Sequence, residues 1–151
     1  MTNDALSPIE SDRLAQSERL RQEARSDMRL GEWESALAKL SHSASLYPQS
    51  ITYELIGECH LARLENDQAI IYFSAACGLG NKQYKPRVQL ARLLYSLGEL
   101  HEHQAVFHLL MAQRMNPSYK AAKELLQSWL ASNARISVVV AAQQESSEPP
   151  E

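Results

Sequence analysis

Apolar residues recur at the three- and four-residue spacing of amphipathic helices along most of the chain. In the last such stretch Leu125, Leu126 and Trp129 share one side, while Lys120 and Lys123 lie on the other. Most prolines and glycines stand between these stretches, where they mark helix ends. The pattern predicts about seven helices, over residues 8–30, 33–46, 51–64, 67–77, 85–97, 102–115 and 119–132.

The two ends of the chain differ from this pattern. Ser7, Pro8 and Glu10 make an N-cap serine, a first-turn proline and a capping-box glutamate, so the first helix should begin at residue 8 after a disordered segment 1–7. Beyond Asn133 the composition shifts, and the final residues QQESSEPPE are polar and acidic, which predicts a flexible tail over 133–151. Its β-branched run, residues 136–140, is either an apolar stretch packed against the last helix or a short strand, and we favour packing.

Small and apolar residues also recur at a longer period. Ala36, Ala69 and Ala105 form one column, with steps of 33 and then 36 residues. A repeat of this length that holds two helices predicts stacked helical hairpins. Four further columns keep the same steps: Leu40, Phe73 and Leu109; Ser43, Ala76 and Ala112; Leu46, Leu79 and Met115; Pro48, Asn81 and Pro117.

These columns resemble those of the tetratricopeptide repeat (TPR) family. The second unit fits best, because Tyr53, Ile56 and Gly57 are followed by Ala69 and Phe73 at the family's spacing. The resemblance implies an all-α fold, a right-handed α-solenoid with three repeats and a C-terminal capping helix. The TPR domain would span 8–132, with repeats at about 17–49, 50–83 and 84–117 and the capping helix at 118–132. Departures from the family pattern are Glu23 in place of a large aliphatic residue, Leu64 in place of the turn glycine and Asn81 in place of proline.

In this family the first helix of each repeat lines a concave groove, so the resemblance also nominates binding residues, which we call the groove positions. The family's carboxylate clamp for chaperone tails is not expected, because Leu55 cannot hydrogen-bond a carboxylate and Gln89 is neutral. The groove positions are Arg21, Arg25 and Arg29 in the first repeat, Glu54, Leu55 and Glu58 in the second, and Lys85, Gln89, Arg92 and Tyr95 in the third.

The three groove arginines are spaced four residues apart, which places their guanidinium groups on one stripe of a helix. Such a stripe can bind carboxylates of a partner bidentately. The alternative is a solvated helix face on which Glu18 and Glu23 pair with the arginines.

Composition, charge and the absence of certain motifs argue against several classes of function. The net charge of -3 excludes an overall attraction to nucleic acid or anionic membranes. The polar N-terminus lacks the features of a signal peptide, and no apolar run approaches membrane-spanning length, so we expect a cytoplasmic protein. His101 and His103 lie near two glutamates, but an interhelical turn with no third rigid ligand is a poor metal site. We expect no metal, no cofactor and, without a catalytic motif, no enzymatic activity.

The leading hypothesis is a non-catalytic protein–protein interaction adapter that binds a peptide or helical segment of a partner in the concave TPR groove. One alternative is a class II type III secretion chaperone, which proteins of this size with an N-terminal helical extension resemble. The other alternative is a structural module that self-associates as a homodimer through its N-terminal helix.

Overall fold

The computed structural model describes residues 5–80 and 83–146. They fall into two compact units that divide between Leu79 and Gly80. All seven predicted helices are present, with ends within two residues of their predicted positions, and an eighth follows them. Unit 1 contains α1 (Pro8–Arg29), α2 (Trp33–Leu46), α3 (Ser50–Ala62) and α4 (Asn66–Gly78). Unit 2 contains α5 (Tyr84–Ser96), a 3-10 turn (Glu99–His101), α6 (Glu102–Met115), α7 (Lys120–Ser132) and α8 (Ala134–Ser146).

The start of α1 follows from its capping box. The Ser7 hydroxyl accepts a hydrogen bond from the Glu10 backbone N–H at 3.2 Å, and the Ser7 N–H donates to the Glu10 carboxylate at 2.9 Å. These two bonds satisfy backbone groups that a helix end otherwise leaves unpaired. The predicted start of the first helix is confirmed.

Unit 1 is built from two helical hairpins, α1 with α2 and α3 with α4, and α2 also packs against α3. Ala24 and Ala36 are fully buried where α1 meets α2, because small side chains let the two helices approach closely. Leu40, Ile56 and Cys59 complete the centre of this core.

Gly57 lies at a close contact between the two helices of the second hairpin. A Cβ atom at this position would lie 2.8 Å from the ring of Phe73, whose side chain is fully buried. The sequence predicts that Gly57 lies against the neighbouring helix, with Ala69 as its contact. The structure confirms the close approach but places the Phe73 ring there.

A pair of buried serines joins the first hairpin. The hydroxyls of Ser17 and Ser43 lie 2.7 Å apart, and both residues are fully buried. The Ser17 hydroxyl lies 3.0 Å from the Ser43 carbonyl oxygen, and the Ser43 hydroxyl donates to the Ser17 carbonyl at 2.8 Å. The polar atoms of this pair are therefore satisfied inside an otherwise apolar contact.

Unit 2 repeats the hairpin with α5 and α6, and then packs both α7 and α8 against α6. Trp129 of α7 is 4% exposed and stacks on Tyr95 of α5, with ring centroids 4.1 Å apart. The capping role predicted for the seventh helix agrees with this contact. From the sequence alone Ser118 is a candidate N-cap for this helix, but Tyr119 occupies the N-cap position and the Ser118 hydroxyl donates to the Asn116 side chain.

The flexible tail predicted from residue 133 is corrected over Ala134–Ser146, which form α8. Within the apolar run, which is helical, Ile136 is fully buried as the packing interpretation expects, whereas Val138 is 69% exposed. Ile136, Val140 and Gln143 are spaced three and four residues apart, which places them on one helix face. The outer parts of the predicted disordered ends, residues 1–4 and 147–151, lie outside the described residues. No helix in the described part of the chain is both long and apolar enough to span a membrane.

Candidate functional site

The groove positions of α1 keep two exposed cations. Arg25 and Arg29 are exposed, and neither forms an ion pair with any carboxylate in residues 5–80 or 83–146. The alternative interpretation, in which Glu18 and Glu23 neutralise the stripe, therefore does not describe these two side chains. Arg29 makes a local hydrogen bond to the Ser26 hydroxyl, at 3.0 Å.

Arg21 differs from its two neighbours because it is bound within unit 1. Its guanidinium donates to the side-chain oxygen of Gln49 and lies 3.4 Å from the Thr52 hydroxyl. Partial burial lowers the pKa of Arg21; among the smaller effects, the charge of Glu18 raises this pKa and the charge of Arg25 lowers it. Arg21 thus ties α1 to the start of α3, while Arg25 and Arg29 point to solvent.

The groove positions of α3 are less accessible than the sequence predicts. Leu55 is only 6% exposed and belongs to the core around Ala24 and Leu40, so its assignment to the groove is corrected. Glu54 is 9% exposed, and Glu58 is half-buried. The repeat column assigns Leu55 to the first helix of its repeat, but this side chain packs in a core that also contains Ala24 of α1 and Ala36 of α2.

In unit 2 the groove positions of α5 fall into two groups. Lys85 and Arg92 are exposed, Gln89 is half-buried, and no carboxylate of the described residues pairs with either cation. Tyr95 has one ring face covered by Trp129, and its hydroxyl lies 3.3 Å from the Asn133 amide nitrogen. Tyr95 is therefore half-buried and partly engaged within unit 2.

We compared the sequence and the structure of this chain with those of known proteins. No protein-family model matches the chain, and no curated protein matches its sequence. The Arabidopsis OM64 TPR domain is similar in structure, with a TM-score of 0.67 and 18% identity over 74% of this chain and 91% of that one. The first TPR of Spaghetti (RPAP3), bound to the HSP90 peptide SRMEEVD, gives a TM-score of 0.72 at 13% identity, over 80% and 95% of the two chains. The chain has the tetratricopeptide repeat fold.

A third TPR-like neighbour is the Yersinia enterocolitica type III secretion chaperone SycD in complex with a peptide of the translocator YopD. Its TM-score is 0.62 at 25% identity, over 87% of this chain and 94% of that one. The same chaperone has also been solved as an alternative dimer, at 24% identity and a TM-score of 0.63. The TPR fold predicted from the repeating columns is thereby confirmed.

The TPR chain has a second surface that sequence reasoning missed, a groove between α6 and α8 that we call the α6–α8 groove. It has a volume of about 350 Å³, and Phe107 on its wall is 48% exposed. The Gln143 amide donates to the His103 carbonyl at 2.8 Å and joins the two helices. The only sequence signal was the helical spacing of Ile136, Val140 and Gln143. The groove is lined by His103, Gln104, Phe107, Leu110, Met111, Arg114 and Gln143.

The residues considered as a metal site span the 3-10 turn, which holds Glu99 and His101, and the start of α6, which holds Glu102 and His103. Of the two glutamates, Glu102 is 6% exposed and accepts hydrogen bonds from Arg135, at 2.8 and 3.1 Å, and from the Asn133 amide at 2.9 Å. The Arg135 hydrogen bond lowers the pKa of Glu102 and keeps its carboxylate charged. This carboxylate fixes the α7–α8 corner to α6. Within the described residues no group of three or more potential ligands is close enough to hold a metal ion.

Proposed function

We propose that this TPR chain is a non-catalytic adapter that binds a peptide or helical segment of another protein through its groove positions. The observation that carries the proposal is the set of exposed cations without ion-pair partners among the described residues: Arg25 and Arg29 on α1, and Lys85 and Arg92 on α5. Two neighbours of the same fold were solved with bound peptides, which supports a peptide as ligand.

These side chains also limit the chemistry of the partner. Guanidinium and ammonium groups carry only hydrogen-bond donors, so the partner segment should present carboxylates. Leu55 is buried and Gln89 has no charge, so we do not expect the carboxylate clamp for chaperone tails. An acidic segment with internal glutamates or aspartates fits better than a terminal motif.

The second candidate function is that of a chaperone for a secreted protein. The observation that favours it is the structural match to SycD, which includes 25% identity and 94% of the SycD chain. The two candidates differ in the state of the partner. A chaperone's client is unstable alone, whereas an adapter joins partners that are already folded.

The test begins with partners captured from the native cell, which are then titrated by calorimetry against charge-reversal variants. We expect Arg25→Glu and Arg92→Glu to weaken binding by about tenfold or more, an effect that grows as salt is lowered. Arg19→Glu and Lys123→Glu are the matched controls, because each is an exposed cation outside the groove positions on α1 or α7. Lys39 is unsuitable as a control, since it forms an ion pair with Asp27 at 2.8 Å.

Equal loss in the controls, or no loss in Arg25→Glu and Arg92→Glu, would overturn the assignment to the groove positions. The chaperone alternative is decided by expressing the captured partner with and without this chain. A partner that is insoluble alone and soluble in the complex supports the chaperone, and a partner that is folded in both states supports the adapter.

A further inference from the structure

Among the residues that line the α6–α8 groove, Phe107, Leu110 and Met111 are apolar and Arg114 is a cation. No carboxylate is among the residues that line it, and Arg114 has no ion pair within the described chain. A half-exposed phenylalanine in a concave surface marks a binding site for an apolar side chain. The groove therefore fits a segment with aliphatic residues followed by acids.

The start of α1 is also apolar in part, but its charged groups are carboxylates. Its first residue buried against α2 is Ser17, so the helix extends about two turns beyond the first hairpin. On this extension Ile9 is 68% exposed, and Leu6 just before the helix is 39% exposed. Glu10 and Asp12 follow directly in sequence. This short segment presents aliphatic side chains next to carboxylates.

We propose that the α1 extension of a second copy of this chain docks in the α6–α8 groove. Leu6 and Ile9 would cover Phe107 and Met111, and the acids that follow would face Arg114. Each copy carries one extension and one groove, so two copies can exchange them reciprocally and form a closed dimer with two identical contacts. The proposal is independent of the adapter function, because it uses none of the groove positions.

The first test measures the mass of the full chain by light scattering over a range of concentrations. We expect a dimer that dissociates on dilution, and we expect Ile9→Asp or Phe107→Asp to raise its dissociation constant by about tenfold or more. Ile71→Asp is the matched control, since Ile71 is 57% exposed on α4, outside both surfaces. A chain that is monomeric at every concentration would overturn the proposal, as would a dimer that persists in both variants.

The second test identifies the groove directly with a fluorescent peptide of residues 5–16, added to the full chain and followed by anisotropy. The peptide should not bind Phe107→Asp, and it should bind Arg114→Glu more weakly than the unchanged chain. A peptide that carries Asp12→Arg should show the reverse charge preference and bind Arg114→Glu better than the unchanged chain. Absence of binding up to about 1 mM, the weak limit of specific association, would refute the proposal. Equal binding to Phe107→Asp would also refute it and assign the groove to another protein's segment.

Discussion

At the scale of single residues, an absent side chain can matter as much as one that is present. Gly57 lets α3 and α4 approach so closely that the Phe73 ring occupies the space of a Cβ atom. Phe73 is fully buried, so the ring cannot move aside without opening the core. Leu64 has a side chain where a glycine would be favoured: its φ is 60°, and the first and third hairpins have glycines of positive φ, Gly31 and Gly98, in their turns.

We predict that Gly57→Ala destabilises the protein by about 1–3 kcal/mol, because overpacking forces the ring or the helix to shift. Gly78→Ala is the control in the same unit: its Cβ would meet nothing within 4 Å, and alanine favours a helix over glycine by up to about 1 kcal/mol. Urea unfolding measures both. Equal midpoints for Gly57→Ala and the unchanged chain would contradict the contact with Phe73.

His108 is a residue whose protonation opposes folding. Its Nδ1 lies 3.1 Å from the Arg87 guanidinium, which can only donate, so the imidazole must be the neutral acceptor. Burial, and next the Arg87 charge, lower the pKa of His108 from 6.5 to about 4. The unfolded chain therefore takes up a proton at a pH at which the folded chain does not.

We predict that stability is unaffected by His108 above pH 6.5 and falls as the pH drops from 6.5 towards 4, the interval between its two pKa values. The pKa values of Asp27 and Glu102 are lowered from 3.8 and 4.5, so these carboxyls titrate below most of that window. His108→Gln keeps an acceptor for Arg87 but does not titrate. Its free energy of unfolding should depend less on pH between 6.5 and 5, and an unchanged slope would contradict the prediction.

At the scale of elements, α8 depends on tertiary contacts more than on its own sequence. Its run of β-branched residues disfavours a helix locally. Ile136 inserts into unit 2, Arg135 binds the Glu102 carboxylate, and Gln143 bonds to the His103 carbonyl. These three contacts fix the helix along α6.

We predict that Ile136→Ala lowers the free energy of unfolding by about 2–4 kcal/mol, because it removes a fully buried aliphatic side chain. Val138→Ala, in the same helix at 69% exposure, should stay within about 0.5 kcal/mol. Chemical denaturation of the two variants provides the comparison. A flexible tail would make them equal, and that result would contradict the described position of α8.

The same contacts explain what could be predicted from the sequence. The seven predicted helices were recognisable because their own spacing, caps and repeating columns agree. The helix at Ile136 was not recognisable, since only its long-range contacts with α6 override the local preference. For the candidate site, the repeat columns predict which helix a residue lies on, but they do not predict how exposed its side chain is. Leu55 therefore proved to be buried, and Tyr95 proved to be stacked on a tryptophan from another element.

At the scale of the whole molecule, both cysteines lie in unit 1, so their reactivity measures whether that unit is folded. Cys59 and Cys77 are both buried residues of that unit. Burial raises the pKa of Cys59 from 9.0 to about 11. Since the thiolate is the reactive form, burial protects Cys59 both by excluding reagent and by suppressing ionisation.

We predict that the folded chain reacts with a thiol reagent at pH 8 at least about 100-fold more slowly at Cys59 than the unfolded chain, as two pKa units require. A Ser41→Cys variant supplies an exposed thiol on α2 as the control, which should react quickly without denaturant. Mass spectrometry of labelled peptides resolves the sites. Rapid labelling of Cys59 in the folded chain would contradict the burial described for unit 1.

The buried serine pair of the first hairpin has a consequence for misfolding. Two apolar helix faces can shift along each other by one turn, because one aliphatic contact then replaces another. The same shift of α1 along α2 would be costly at Ser17 and Ser43, since each hydroxyl would be buried without an acceptor. The pair therefore specifies the register of α1 against α2. It contributes little to the stability of the correct hairpin but destabilises hairpins in which the two serines are displaced from each other. A chain made of similar repeats, in which one helix could pair with the wrong neighbour, gains fidelity of assembly from such a pair.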